Sequence, residues 1–268
     1  MAEIRIRNCS YYFEMYGQGP ETIVLAHGLL WSGEMFHKQV RHFKEKYRIL
    51  VYDHRGQGRS EVTPGGYDMD ELYKDAVALI EALELGPVHF GGLSMGGFIG
   101  LRIAARRPDL LRSLILMETS AQAEPNTFKY GILNTLVKLF GVASVAGPVM
   151  KIMFGKAFLN DPSRKEERET WRSNLLKNKK TIVRAVEGVL RRKGVEAELQ
   201  NIQCPTLILV GTDDKATTPE KAEFLNSNIS NSKLVYIQDA GHTACIEAPQ
   251  QYNEAIQSFL EGIQKSSV

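Results

Sequence analysis

The chain has 268 residues and a formal charge of +2, from 33 Lys and Arg residues against 31 Asp and Glu residues. The two signs are interspersed and no long basic block occurs, which excludes the electrostatic pattern of a nucleic-acid-binding protein. Hydrophobic residues make up 43% of the sequence, so a chain of this length suits one large α/β domain, with or without an insertion.

The three cysteines are scattered and form no Cys-x-x-Cys pair. They are Cys9, Cys204 and Cys245. This usage predicts a reduced intracellular protein without disulfides. The first residues lack the apolar core of a secretory signal, and the longest uncharged stretch, 85–101, contains six glycines. We therefore expect a cytoplasmic protein with no membrane partner.

Short β-branched and aliphatic runs recur along the chain with helix-like segments between them. This alternation is typical of a mostly parallel sheet with helices on both faces. The first two runs flank a short turn and predict an antiparallel hairpin. The eight predicted strands are 3–7, 11–16, 22–26, 48–52, 88–90, 113–117, 206–210 and 233–237. Apolar residues at helical spacing predict helices over 70–85, 95–107, 219–228 and 249–264.

The segment 121–194 breaks this alternation, because it contains no convincing strand. Its first half is apolar and its second half is rich in Lys, Arg and Glu. Helix-like stretches occur at 130–140, 144–154, 164–176 and 181–192. We therefore predict that residues 1–120 and 195–268 form one α/β core, and that 121–194 is a helical insertion after the sixth strand.

The sequence Gly92-Leu-Ser-Met-Gly96 joins a predicted strand to a predicted helix. Such a tight strand-to-helix turn holds its central residue, Ser94, in a strained backbone conformation with the side chain exposed. The chain can bend this sharply only if the residues two positions before and after, Gly92 and Gly96, have no side chains. The helix N-terminus also directs backbone N–H groups toward developing negative charge. Ser94 is therefore the candidate nucleophile.

A serine hydroxyl needs a base to take its proton, and the base needs an acid that fixes its tautomer. His242 follows the last predicted strand, and Asp213 and Asp214 follow the strand before it. The order of serine, acid and histidine is the order required in hydrolases built on an α/β sheet. The residues alone leave both aspartates open. The other five histidines are more simply explained as structural or surface residues: His27, His37, His42, His54 and His89.

The loop His27-Gly28-Leu29-Leu30 follows the predicted strand 22–26. A loop in this place can direct backbone N–H groups toward the nucleophile. We expect the N–H groups of Leu29 and Met95 to form an oxyanion hole, in which each donor is typically worth about 3–4 kcal/mol in the transition state.

These motifs identify a resemblance to the α/β-hydrolase superfamily over nearly the whole chain. The four blocks that carry it are His27-Gly-Leu-Leu30, Asp53-His-Arg-Gly-Gln-Gly-Arg-Ser60, Gly92-Leu-Ser-Met-Gly96, and Gly211-Thr-Asp-Asp214 with Gly241-His242. Within that superfamily the chain resembles bacterial esterases, enol-lactonases and perhydrolases. The acid loop of enol-lactonases is similar to residues 211–219.

The resemblance implies an α/β-hydrolase fold in which 121–194 is a cap over the active site. Because the family places its acid three residues after the loop glycine, it favours Asp214 over Asp213. Some relatives carry the acid after the sixth strand instead, where this chain has Glu118. Asp214 ranks first as the acid and Glu118 second.

The predicted activity is that of a serine hydrolase acting on small or medium carboxylic esters or lactones. We expect Trp31, Leu136, Phe140 and Met150 to shape the acyl pocket. Perhydrolysis, carbon–carbon bond hydrolysis and hydroxynitrile lysis would reuse the same triad, and a ligand receptor on a hydrolase scaffold is the alternative of a different class. The sequence leaves monomer and homo-oligomer open.

No cofactor or metal is implied by the sequence. The two aspartates at 213 and 214 would have only His242 nearby as a further ligand, which is too few for a metal site. The arginines in the block 53–60 would suit phosphate or carboxylate binding, but the glycines of this block favour a structural loop. We expect the only ligand to be a small-molecule ester or lactone.

Overall fold

A computed structural model describes residues 2–266 of the chain. Its centre is one sheet of eight strands: β1 (Ala2–Ile6), β2 (Cys9–Tyr16), β3 (Thr22–Ala26), β4 (Arg48–Tyr52), β5 (Val88–Leu93), β6 (Leu111–Met117), β7 (Thr206–Gly211) and β8 (Ser232–Ile237). The strand order is β1-β2-β4-β3-β5-β6-β7-β8, and only the pairings made by β2 are antiparallel. The predicted eight-stranded, mostly parallel sheet is confirmed.

The predicted helices are all present, and the structure has three further short helices at His37–Phe43, Lys156–Asn160 and Ala244–Glu247. Those of the core are α1 (His37–Phe43), α2 (Met69–Ala82), α3 (Met95–Arg106), α9 (Pro219–Asn228), α10 (Ala244–Glu247) and α11 (Pro249–Ser266). Between β6 and β7 lie α4 (Thr127–Phe140), α5 (Ala146–Met153), α6 (Lys156–Asn160), α7 (Lys165–Leu176) and α8 (Val183–Leu190). Short 3-10 turns join several of them. No helix within residues 2–266 combines the length and the apolar character needed to cross a lipid bilayer.

The sheet separates two hydrophobic cores because successive side chains of a strand point to opposite faces. Along β3, Val24 and Ala26 belong to the core beneath α2 and α3, whereas Ile23 and Leu25 belong to the core beneath α1 and α11. The inner strands are buried on both faces, which explains their continuous apolar runs.

Strand β5 extends three residues beyond its predicted end at residue 90. The added residues include Gly91 and Gly92, and glycine is disfavoured in the interior of a strand. In the sheet, a Cβ at Gly91 would lie 2.9 Å from side-chain atoms of both Leu25 and Met117 on the neighbouring strands. The glycine therefore permits close packing, and the strand runs directly to the candidate nucleophile.

The helical segment between β6 and β7 leaves and rejoins the core at one point. The N–H of Val195 donates to the carbonyl of Ala121 at 2.9 Å. Parallel strands bring their carboxyl ends to a single edge of the sheet, where ligands of open α/β folds bind. The loops after β3, β5, β6, β7 and β8 all meet there, next to the helical segment.

Candidate active site

Ser94 occupies a strained turn between β5 and α3. Its φ is 51° and its ψ is −108°, a conformation that L-residues rarely adopt. A Cβ at Gly92 would lie 2.2 Å from the carbonyl oxygen of Gly96, and a Cβ at Gly96 would lie 2.1 Å from that of Ala26. Both glycines are therefore required by close backbone contacts, as the sequence pattern predicts for a nucleophile turn.

The structure brings Ser94 and His242 to the wall of the same cavity. Ser94 is half-buried, and within residues 2–266 neither its hydroxyl nor Nε2 of His242 makes a hydrogen bond. Catalytic hydrogen bonds often tighten only when substrate binds. Both atoms are thus free to engage a molecule in the cavity.

Asp214 is the carboxylate that contacts the histidine. Nδ1 of His242 lies 2.9 Å and 3.1 Å from the two carboxylate oxygens, and both side chains are buried. Because a carboxylate only accepts, Nδ1 carries the proton and Nε2 is left as the basic nitrogen. The carboxylate also accepts from the N–H groups of Ala216 and Thr217 and from the Thr217 hydroxyl. These bonds fix the orientation of Asp214.

The other two candidate acids point elsewhere. Asp213 accepts a 2.6 Å hydrogen bond from the N–H of Lys156. Glu118 is completely buried and accepts from the hydroxyl of Tyr252 at 2.9 Å, with no bond to His242. Burial, and then the charge of Asp214, raise the pKa of Glu118 well above its ordinary value. Glu118 therefore favours its protonated form more strongly than an exposed glutamate does, and Asp214 is the acid that contacts the histidine.

The predicted oxyanion donors lie on the two sides of the nucleophile. A Cβ at Gly28 would lie only 3.6 Å from Cβ of Ser94, so the loop after β3 passes directly beside the serine. The N–H of Met95 is the first of α3, where no earlier turn supplies an acceptor. Neither this N–H nor that of Leu29 donates to another residue within 2–266.

Gln57 links the two halves of this candidate oxyanion hole. Its side-chain oxygen accepts from the N–H of Leu30 at 2.9 Å, and its side-chain nitrogen lies 3.7 Å from the sulfur of Met95. Leu30 has a φ of 75°, so its conformation depends on such support. The sequence analysis missed Gln57, although it lies within the glycine-rich block 53–60.

We expect Gln57→Leu to lower kcat on an ester substrate about 10- to 100-fold while changing KM by less than about twofold. The variant removes the acceptor of the half-buried N–H of Leu30 and so releases the loop that carries one oxyanion donor. Gln57→Glu keeps the acceptor and is expected to retain more activity than the leucine variant. A kcat for Gln57→Leu equal to that of the parent would show that the loop 27–30 keeps its conformation without the bond from Gln57.

Two buried histidines brace the same loop. The N–H of His54 donates to Nε2 of His27 at 2.9 Å, and Nε2 of His54 donates to the carbonyl of His27 at 3.0 Å. Burial lowers the pKa of both imidazoles, so both are neutral near pH 7. The sequence analysis assigned them structural roles, and this geometry agrees.

The cavity above Ser94 is small and almost entirely apolar. The space open to the centre of a water molecule is about 130 Å³. Core residues that line it are Gly28, Leu29, Leu30, Trp31, Leu93, Ser94, Phe98, Ala216, Thr217 and His242. Those of the helical segment are Glu124, Tyr130, Leu133, Asn134, Val137, Val142, Val145, Val149, Ile152, Met153, Ile182, Val186, Val189, Leu190 and Arg192.

Of the four predicted pocket residues, only Trp31 lines this cavity. The prediction was wrong for Leu136, Phe140 and Met150. Leu136 lies on the outer side of α4, Phe140 is 69% exposed at the end of that helix, and Met150 packs into the core. The residues of α4 that line the cavity are Tyr130, Leu133, Asn134 and Val137, and those of α5 are Val149, Ile152 and Met153.

A family model described as the α/β hydrolase fold matches residues 21–249. The chain belongs to the α/β-hydrolase fold family. The resemblance found in the sequence is thereby confirmed, and the order of the strands, the nucleophile turn and the paired acid and histidine all accord with it.

Two solved structures and one relative show what this α/β hydrolase is similar to. An esterase from Thermogutta terrifontis is 28% identical with a TM-score of 0.90, covering 98% of this chain and 99% of its own. The 3-oxoadipate enol-lactonase 2 of Acinetobacter baylyi is 27% identical over 93% of this chain and 92% of its own length. An enol-lactonase from Burkholderia xenovorans has a TM-score of 0.90 over 97% of this chain and 100% of its own, but at 24% identity it supports the fold alone.

Two further residues position the candidate triad in this α/β hydrolase, and the sequence analysis missed both. The Thr217 hydroxyl donates to Asp214 at 2.8 Å and lies 3.1 Å from Nδ1 of His242. The Asp-x-x-Thr spacing is a turn signal that pointed to this contact. Glu247 accepts from the N–H of Gly241 and from that of Gly155, so it ties the histidine loop to the helical segment. Burial raises the pKa of Glu247.

The block 53–60 has a structural role in this α/β hydrolase. Asp53 accepts from the N–H groups of Gly33 and Arg59, and Arg55 is buried in an ion pair with Asp75 at 2.8 Å. These bonds close the loop on itself, which agrees with the structural interpretation. Within residues 2–266 no group of three or more His, Cys, Asp or Glu side chains is arranged to hold a metal ion.

Proposed function

We propose that this α/β hydrolase is a serine hydrolase that cleaves small to medium carboxylic esters or lactones through an acyl-enzyme intermediate. One observation carries the proposal: a free serine hydroxyl in a strained turn faces the same apolar cavity as an imidazole bonded to a buried carboxylate. This is the arrangement that makes a hydroxyl nucleophilic near neutral pH.

In the proposed reaction, Ser94 attacks the carbonyl carbon while Nε2 of His242 takes its proton. Asp214 holds the other ring nitrogen and stabilises the imidazolium that forms. The N–H groups of Leu29 and Met95 donate to the oxyanion. His242 then protonates the leaving alcohol, and a water molecule activated by the same nitrogen hydrolyses the acyl-enzyme.

The cavity supports a short, uncharged acyl group. An apolar cavity of about 150 Å³ accommodates benzene, and the 130 Å³ found here is close to that size. The two oppositely charged side chains in its wall, Glu124 and Arg192, pair with each other at 3.0 Å and leave the wall without net charge. We infer acyl groups of about four to six carbons.

We also propose that residues 121–194 form a cap that excludes water from the reaction, with residues 1–120 and 195–268 as the hydrolase core. Most of the cavity lining comes from this segment, and the bond between Val195 and Ala121 closes it at its base. In such an arrangement the core supplies the chemistry and the cap sets the substrate. The similarity to an esterase and to an enol-lactonase supports this class of substrate.

A panel of p-nitrophenyl esters of increasing acyl length tests the proposal. We expect kcat/KM to be highest for butanoate or hexanoate and at least about tenfold lower for dodecanoate, because the longer chain exceeds the cavity. An organophosphate reagent should label Ser94 alone, as located by mass spectrometry. Labelling of another residue, or no turnover of any ester or lactone, would overturn the proposal.

A further inference from the structure

Helix α4 is apolar on two opposite faces, and within residues 2–266 only one of them is packed against other parts of the chain. Its inner face, which includes Leu133 and Val137, lines the cavity above Ser94. On its outer face Phe128 is 83% exposed, Ile132 is 48% exposed and Leu139 is 58% exposed. Contiguous exposed apolar residues of this kind mark an interaction surface rather than ordinary surface composition.

The charged residues of α4 itself are all lysines. At 100° per residue, Lys129 and Lys138 lie on either side of the stripe formed by Phe128, Ile132 and Leu139. A third lysine, Lys180, donates to the carbonyl of Leu139 at 2.8 Å. From residue 125 to residue 160 the chain has four lysines and no acidic residue.

We propose that the outer face of α4 binds the surface of an anionic lipid bilayer or micelle, with Phe128, Ile132 and Leu139 inserted among the acyl chains. An apolar stripe flanked by lysines matches such a surface, because the ammonium groups reach the anionic headgroups while the stripe enters the apolar layer. This occupant is favoured over a second copy of the chain, since a symmetric contact would bring these lysines together without an acidic partner.

The placement gives the binding a consequence for catalysis. The same helix that meets the lipid surface forms one wall of the cavity, so an ester dissolved in the lipid would be concentrated beside the cap. The binding itself is independent of the proposed hydrolysis. It is a peripheral contact of one helix, and it requires no membrane-spanning segment.

Vesicle co-sedimentation of the full chain tests the proposal. Vesicles of equal parts phosphatidylcholine and phosphatidylglycerol should bind the protein at least about tenfold more tightly than vesicles of phosphatidylcholine alone, and added salt should weaken the binding. The double variant Phe128→Ser with Leu139→Ser should reduce binding at least about tenfold, and so should Lys129→Glu with Lys138→Glu. Val62→Ser removes an exposed apolar side chain elsewhere and should leave binding unchanged.

All variants should keep the parent's melting temperature and its activity on a water-soluble short-chain ester, because none of the changed side chains lines the cavity. Absence of binding to anionic vesicles would overturn the proposal. So would a dimer in sedimentation equilibrium that the Phe128→Ser, Leu139→Ser variant converts to a monomer, since a second copy would then occupy the face. If the parent protein hydrolysed no ester, the proposed hydrolysis would be contradicted, but the vesicle result would still support lipid binding.

Discussion

Replacing Ser94 with alanine is expected to lower kcat for ester hydrolysis by about 10⁴-fold or more, as removal of a nucleophile does in serine hydrolases. The candidate oxyanion donors and the cavity remain, so substrate should still bind. The measurement is kcat and KM on p-nitrophenyl butyrate, together with labelling by an organophosphate reagent. Labelling should disappear, because the reagent reacts only with an activated hydroxyl.

The melting temperatures of two variants distinguish the role of the Ser94 hydroxyl in catalysis from the strain of the Ser94 backbone. Alanine retains Cβ, so the strain at φ 51° persists and the melting temperature should stay within about 2 °C of the parent. Ser94→Gly should relieve strain of about 1–3 kcal/mol and raise the melting temperature, while being equally inactive. Activity retained in both variants would contradict the assignment of Ser94 as nucleophile.

Replacing Asp214 with asparagine is expected to lower kcat by about 10³- to 10⁴-fold. An amide bonded to Nδ1 of His242 favours the tautomer that carries its proton on Nε2, and that nitrogen then no longer accepts the proton of Ser94. The substitution also removes the negative charge that stabilises the imidazolium. The measurement is kcat against pH, and the loss should lessen at high pH, where hydroxide generates the alkoxide directly.

Glu118→Gln is the matched control, because it tests the other acid at the same sheet edge. Glutamine mimics a neutral carboxylic acid and keeps an acceptor for the hydroxyl of Tyr252, so kcat should stay within about threefold of the parent. If Glu118→Gln were the inactive variant and Asp214→Asn the active one, the assignment of the acid would be reversed.

The same control predicts a pH-dependent change in stability. The folded pKa of Glu118 is raised, so above the ordinary Glu pKa the unfolded chain releases a proton that the folded chain retains. This contribution to the free energy of unfolding is complete at low pH, and it falls by about 1.4 kcal/mol per pH unit until the folded pKa is reached. Urea unfolding at pH 5.5 and 6.5 should therefore show the free energy of unfolding of the parent falling relative to that of Glu118→Gln as the pH rises.

The order of the elements and the candidate triad followed from local patterns. Glycines two residues on either side of Ser94 predicted a tight turn, and the structure shows that backbone contacts at Gly92 and Gly96 require them. His242 and Asp214 each follow a parallel strand, so the topology alone places them at the edge that holds the serine. The choice between Asp213 and Asp214 came from the family resemblance, and the geometry agrees with it.

In the helical segment 121–194, periodicity shows that a residue is apolar but does not show what covers it. Helix α4 has apolar residues on both faces, and the sequence analysis assigned Leu136 and Phe140 to the pocket. The structure places Tyr130, Leu133 and Val137 there instead. Only the packing of the helix against its neighbours selects between the two faces.

The amino-acid sequence by itself determined the α/β architecture and the identity of the candidate nucleophile and base, since periodicity and turn chemistry act over a few residues. Tertiary structure decided that Asp214 contacts the imidazole, whereas Glu118 is buried against the hydroxyl of Tyr252, where its pKa is raised. It likewise decided that Gln57 and Glu247 brace the loops, and which face of α4 meets the cavity. These outcomes depend on distances and burial between groups far apart in the chain, and no local pattern records them.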